Sequence, residues 1–335
     1  MTIQKVIDYC MNTPKNTNPS VLEPMIRELM EKGEVSAKVD GKDYATLNEA
    51  IAAASANAEI ILSDDIIEPE TIRLNKSLTI NLNGKTIKSN SGIPFILKDN
   101  VSLTIKGKEG EPAIEGTVAV AGNNTNLVID GGIYEQPNTE YAVIQTNGSF
   151  SSSNVTIKNA KIIGYDSAVY LPANGKYVFD NCEISGGSGM YIKGGETEIK
   201  DCTITAKGAF AEPIPNGNGA NSTGDGIILD SKQGYSGNMK LTISGNTTIK
   251  SENGYAIHEA LTDLTSSATV ALTIEDGKFI GKKSAFKVSE AFDTGVTEDK
   301  IDCNIAGGVY SSLIDKKYLA EGKECISSGI KFIIK

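Results

Sequence analysis

The 335-residue chain contains no tryptophan and a single histidine, His258. With one histidine and no Gly-x-Ser-x-Gly sequence, a hydrolytic triad has no support. His258 lies in YAIHEA, a strand-like run, and is expected to be an exposed or rim residue. Aromatic residues make up 6 % of the chain, so the aromatic platforms common in sugar sites are scarce. The five cysteines, at positions 10, 182, 202, 303 and 325, are odd in number and lack zinc-site spacing. In a chain too long to need a disulfide framework they read as reduced and structural. Positive charge is short as well: 32 Lys and Arg face 42 Asp and Glu, a net charge of −10. Phosphate binding needs clustered cations, so nucleic acid is excluded as a partner. No apolar run is long enough to cross a membrane, and Asp8 interrupts the N-terminal sequence where a signal peptide would need apolar length. Folding in a cytoplasm without export is therefore expected. No metal and no cofactor is expected.

Glycine, by contrast, is plentiful at 34 residues, and Asn, Ser, Thr, Ile and Val run throughout. That mixture is all-β with many turns. A phrase of the form apolar-x-apolar, a few polar or Gly residues, then another apolar residue recurs along the chain. It reads LTINLNGKTI from Leu78, LTIKGKEGEPAI from Leu103, LVIDGGIY from Leu127 and VTIKNAKII from Val155. It continues as YVFDNCEI from Tyr177, TEIKDCTI from Thr197, LTISGNTTI from Leu241, LTIEDGKFI from Leu272 and CNIAGGVY from Cys303. Most steps between the central apolar residues are 20–31 residues, the period range of a solenoid. The step from Ile199 to Ile243 is longer, and the segment AEPIPNGNGANSTG accounts for much of the excess. A third strand precedes many copies (PFILKD, TVAVAG, SAVYLP, GMYIKG, DGIILD), giving about three strands per coil. The expected fold is a right-handed parallel β-helix with a short α-helical N-terminal segment. Nine or so coils stacked at ~4.8 Å make a rod of about 45 Å. Cys182 and Cys202 fall in the same slot one coil apart and should stack in the core.

The expected boundaries are a helical attachment segment at 1–33, a solenoid cap at 34–58, the β-helix at 59–310 and a C-terminal cap at 311–335. In the cap, Thr46 and Glu49 have capping-box spacing, and Leu47, Ala50, Ile51 and Ala54 share one helical face. IKFIIK near the C-terminus reads as a closing strand. In the first segment, Ile3, Val6, Ile7 and Cys10 are spaced for one short amphipathic helix. Val21, Leu22, Met25, Ile26 and Leu29 are spaced for a second. Helices this short cannot bury their own core, so they must dock elsewhere. Another protein or sister copies, a trimer among the assemblies open to it, is the preferred reading. The residues expected to make that contact are Val6, Ile7, Cys10, Val21, Leu22, Met25, Ile26 and Leu29.

Catalysis, were it present, would be polysaccharide cleavage, which needs carboxylates facing across a cleft or a calcium cluster. The local candidates are Asp225 and Asp230, which flank the GIIL strand, and Asp180 and Asp201, read as recurring at equivalent bend positions. Asp and Asn are favoured at such bends for backbone reasons alone. The chain is accordingly read as a non-enzyme with no catalytic residue assigned. The insertion at residues 211–224 is as well explained by a tolerated loop as by a binding surface.

Two stretches carry a resemblance. MTIQKVIDYCMNTPKNTNPSVLEPMIREL resembles the start of virion proteins of phages infecting Gram-positive bacteria, where a short helical piece precedes a variable body. VDGKDYATLNEAIAAA and GGVYSSLIDKKYLAEGKEC are similar to the opening and closing phrases of β-helix modules in Firmicute surface proteins and their phages. Val309-Tyr310 departs from the Thr-Phe usual in the closing phrase. The resemblance implies a structural phage virion protein, a capsid-attached decoration or head fibre, bound to a capsid or other virion protein through residues 1–33. It also implies possible adhesion to host-surface or mucosal glycans. Assembly in the host cytoplasm with release on lysis would suit a chain without a signal peptide and with unpaired cysteines. The alternatives are a tailspike-like polysaccharide depolymerase and a bacterial surface adhesin module.

Overall fold

Each repeated phrase becomes two short strands around a bend in the computed structural model, which describes residue 24 and residues 35–138, 141–214, 221–230, 237–262, 267–288 and 300–335. Apolar-x-apolar spacing directs one set of side chains inward at every second residue, and Asn, Asp or Gly takes the bend. The phrase from Leu78, for example, gives Leu78–Asn81 and Ile87–Ser89, and the next strand, Phe95–Leu97, completes the coil. Corresponding strands stack in parallel register, Leu78 on Leu103 and Ile80 on Ile105. Further along the same face the inward column runs Leu127, Val155, Tyr177, Thr197, Leu241, Leu272. Among the described residues three sheets of 12, 12 and 9 strands result. The fold is a right-handed parallel β-helix. Sheet A takes the first strand of each phrase, sheet B the second, and sheet C the strand between phrases.

The faces of the three sheets differ. Strands of sheets A and B alternate between buried and at least partly exposed residues, as in Leu78–Asn81 and Gly195–Lys200. In sheet C, Ser167–Leu171 and Ser188–Ile192 are buried at all five positions. A strand buried on both faces needs a continuous run of non-alternating residues, which is what SAVYL and SGMYI supply. One hydrophobic cluster fills the interior from Ala37 to Ile334. A second, of Ala142, Tyr170, Tyr191, Ile228 and Ala260, packs apart from it on the outer side of sheet C.

At each end, strands that run against the stack cap one of the three sheets. Ala37–Val39 pairs antiparallel with Lys42–Tyr44 and with the first parallel strand, Glu59–Leu62. A helix, α1 (Leu47–Ala53), follows with the capping box in place: Glu49 N–H donates to Thr46 Oγ1 and Thr46 N–H to Glu49 Oε2. Leu47 and Ala50 are fully buried beneath it and Ile51 half-buried. At the far end Lys331–Ile334 lies antiparallel on Val309–Tyr310 and on Cys325–Ser328. The contact residues expected in the N-terminal segment, Val6, Ile7, Cys10, Val21, Leu22, Met25, Ile26 and Leu29, lie outside the described residues.

The bends between sheets A and B correct one expectation. Asp180 and Asp201 do not occupy equivalent positions: Asp180 is in register with Lys158 and Lys200, at the end of the strand. Asp201 sits one residue further on, with Asn159 and Asn181, and all three adopt left-handed backbone at φ 52–54°. Counting from the cysteines, FDNC and IKDC place Asn181, not Asp180, opposite Asp201. Asn tolerates this conformation better than most residues, and its amide adds a ladder: Asn181 Nδ2 donates to Asn159 Oδ1 at 2.9 Å. Just inside the bend Cys182 and Cys202 do stack, with Cys182 N–H 3.4 Å from Cys202 Sγ, both free thiols in the core.

Candidate functional site

Parallel register assembles a polar cluster on the outer side of sheet C. The strand Ile227–Leu229 lies between Ser188–Ile192 and Tyr255–Glu259, so Ile228 has Tyr191 on one side and His258 on the other. The same row continues to Tyr170 and Lys287. Asp225 and Asp230 flank Ile227–Leu229, one before it and one after. These two carboxylates therefore stand at the two ends of one strand, each with its own set of partners within the cluster, whereas Asp180 and Asp201 lie away from it on the A–B bends. His258 belongs to the cluster too. It is only 2 % exposed, which overturns its expected place at the rim. The reason is that the outer side of sheet C is itself covered where Tyr170, Tyr191, Ile228 and His258 follow one another.

Both carboxylates are fully buried and heavily bonded. Asp225 accepts the Tyr255 N–H at 2.7 Å, the Thr223 hydroxyl at 2.8 Å and His258 Nδ1 at 2.9 Å. A carboxylate only accepts, so the imidazole proton facing it is on Nδ1 and Nε2 is left as the other ring position. Ser188 Oγ supports this end by accepting the N–H groups of Thr223 and Gly224. Asp230 accepts the Thr262 N–H at 2.7 Å and the Thr262 hydroxyl at 2.8 Å on Oδ1, and the Tyr191 hydroxyl at 2.7 Å on Oδ2. Lys193 Nζ stands 3.8 Å from the same Oδ2. Burial pushes the Lys193 ammonium below its usual range, against the opposing pull of Asp230. Burial, followed by the Asp230 charge, holds the Tyr191 phenol far above its usual range, so it remains a donor. Groups this well engaged brace adjoining coils. The Asp225–His258 pair also has the makings of an oriented general base.

Beside this cluster the long insertion packs back on the coil. Lys283 Nζ lies 3.3 Å from the centre of the Phe210 ring and 5.6 Å from that of Tyr255, and the two rings meet edge to face. Tyr255 in turn packs at 4.8 Å, edge to face, against His258. The residue leading into the insertion, Phe210, therefore adjoins the cluster, while residues 215–220 lie outside the described ones.

Sequence reasoning missed two groups. Lys193 is one. The other is Glu259, which follows His258 and is in register with Leu229 and Val288, facing the interior. It is fully buried, and neither carboxyl oxygen has a hydrogen-bond partner among the described residues. Burial alone pushes its carboxyl up to about 8. The available signal was a charged residue in a slot that the preceding coils fill with Leu171, Ile192 and Leu229.

On the opposite flank a groove of about 420 Å³ follows the A–B bends. Asn159, Asn181 and Asp201 line one side, Lys161 and Glu183 the other, and Ile133 and Ala160 contribute apolar surface. Hydroxyl-rich ligands fit such a mixture of donors, acceptors and aliphatic floor. No group of three or more His, Cys, Asp or Glu able to hold a metal occurs among the described residues.

A profile described as "right handed beta helix region" matches residues 142–312, just over half of the chain. No curated protein and no solved structure matches it. The chain belongs to the right-handed β-helix family.

Proposed function

Starting from that family, we propose that the chain is a structural component of a phage particle, a capsid-attached decoration or fibre whose β-helix projects and adheres to surface glycans. The observation that carries this reading is the single core running from Ala37 to Ile334 with antiparallel strands at both ends. A solenoid with one continuous core is stiff along its axis, and the antiparallel strands cover one sheet edge at each end, as suits a projecting body. Residues 1–33 serve as the attachment to a capsid or other virion protein. The groove along Asn159, Asn181 and Asp201 supplies hydrogen-bonding groups for sugar hydroxyls. Deleting residues 1–33 should abolish incorporation into particles while the circular dichroism of the β-helix is retained. Deleted protein still found in particles would sink the attachment role. Purified full chain should be retained by host or mucosal glycans without cutting them.

One observation favours a second reading, a polysaccharide depolymerase: the buried Asp225–His258 pair. Under it, incubation with capsule or wall polysaccharide yields new reducing ends or unsaturated products, and His258→Ala abolishes them. No products from the wild-type chain would dismiss it.

A further inference from the structure

We propose that Lys193 and Asp230 become joined through their side chains by an amide bond, a covalent staple between neighbouring coils. Ile192 pairs in register with Leu229, which makes Lys193 and Asp230 the next positions along two adjacent parallel strands. Their side chains are both at 0 % exposure, and Nζ lies 3.8 Å from Oδ2. The other lysine–carboxylate pairs among the described residues are solvent-exposed by 38 % or more on each side. Lys193–Asp230 is thus the one amine and carboxyl pair held together where water is excluded.

Three features of the surroundings suit condensation. A dry setting disfavours two separate charges, so transfer of a proton from ammonium to carboxylate leaves a nucleophilic amine facing a neutral acid. Burial already lowers the proton affinity of Lys193. The acid is also pre-oriented. Its Oδ1 receives two donors from Thr262, at 2.7 and 2.8 Å, which is how an oxyanion is stabilised. Its Oδ2 receives the Tyr191 hydroxyl at 2.7 Å, a proton relay next to the oxygen that must leave. Fixing both reactants on one rigid sheet replaces the entropy cost of bringing them together.

The step balances without any co-reactant. The Lys193 lone pair attacks Cγ of the protonated Asp230 side chain, and negative charge moves onto Oδ1 under the two Thr262 donors. One Nζ proton passes by way of the Tyr191 hydroxyl to the Oδ2 hydroxyl, which departs as water. The Cγ–Oδ1 double bond reforms, leaving an amide with one hydrogen on Nζ. One C–O bond breaks, one C–N bond forms, and nothing is oxidised or reduced. The staple closes the excursion between the two coils that contains the long insertion.

Intact mass spectrometry of the denatured full chain tests it. The expected mass lies below that of the sequence by one water. Trypsin should leave Lys193 uncut and give residues 177–200 joined to residues 208–232. Lys193→Arg and Asp230→Ala should each restore the full mass, a reading that does not depend on how well either variant folds. A wild-type chain at full mass overturns the proposal. So does a water loss that maps to a single linear peptide, or one that persists in either variant.

Discussion

Glu259 makes the stability of this solenoid depend on pH in a direction opposite to that of most buried, paired carboxylates. In the unfolded chain its carboxyl has an ordinary value of 4.5; in the folded one burial raises it to about 8. Because the folded pKa is the higher one, the native state holds a proton that the unfolded state releases throughout this window. Folding stability is therefore undiminished below the unfolded value and falls by ~1.4 kcal/mol per pH unit as pH rises from 4.5 to about 8, then levels off. The whole loss is about 5 kcal/mol, with about 3 kcal/mol already incurred at pH 7. Cys303 and Tyr318 feel the Glu259 charge and are both raised, firstly by burial, so both stay protonated over the window. Glu259→Leu restores the aliphatic column of Leu171, Ile192 and Leu229, and Glu259→Gln removes the titration while keeping the shape. Urea unfolding of the three proteins at several pH values between 4 and 9 reads the effect. The gap between wild type and Glu259→Leu should widen across that range, and the Gln variant should show the same flattened slope. Curves that stay parallel from pH 5 to 8 would refute the reasoning.

Substitutions at three other positions probe the frame of the coils. Gly281→Ala drives a Cβ into the Ser284 carbonyl oxygen, a backbone atom that cannot step aside, so a loss of more than about 2 kcal/mol is expected in the same unfolding assay. Asn181→Ala forces an alanine into φ 53° and breaks the amide ladder, at a cost of about 1–2 kcal/mol, whereas Asn181→Gly relieves the backbone and should cost less. Equal losses in the two would argue against strain at the bend. Asp225→Ala strips His258, Thr223 and the Tyr255 N–H of their shared acceptor in a buried setting, and should cost about 3–5 kcal/mol. An exposed pair would lose under about 1 kcal/mol.

The coil pattern was legible because inward residues in a parallel stack must all obey the same spacing. Leu78, Leu103, Leu127 and Val155 announce one column before any coordinates are known, and the Thr46–Glu49 box announces the cap. What escaped was set by single-residue register and by cover. Asp180 and Asp201 look alike in a loose alignment, yet the Cys182–Cys202 slot moves them one position apart, and one position is the difference between a strand end and a left-handed bend. His258 looked peripheral because alternation was assumed to leave one face of every strand in water.

That assumption fails only in sheet C, and the failure was itself written in the chain. At outward positions SAVYL, SGMYI and GIIL hold Tyr170, Tyr191 and Ile228, where LTIN and TEIK in sheet A carry Thr, Asn, Glu and Lys. A run without alternation means two buried faces, so the outer side of this sheet has to be a second interior. Polar groups in an interior must meet partners, and there Asp225 meets His258 while Asp230 meets Tyr191 and Lys193. The groups able to do chemistry are gathered on the sheet with the least polar strands, because only a covered face keeps carboxylates, an imidazole and an amine close together and away from water. Glu259 is the counterexample that proves the force of that rule. It lies one residue from His258, on the other face of the same strand, and finds no hydrogen-bond partner among the described residues. The consequence is a carboxyl that stays protonated near neutral pH and a coil whose stability falls as pH rises from 4.5 to about 8.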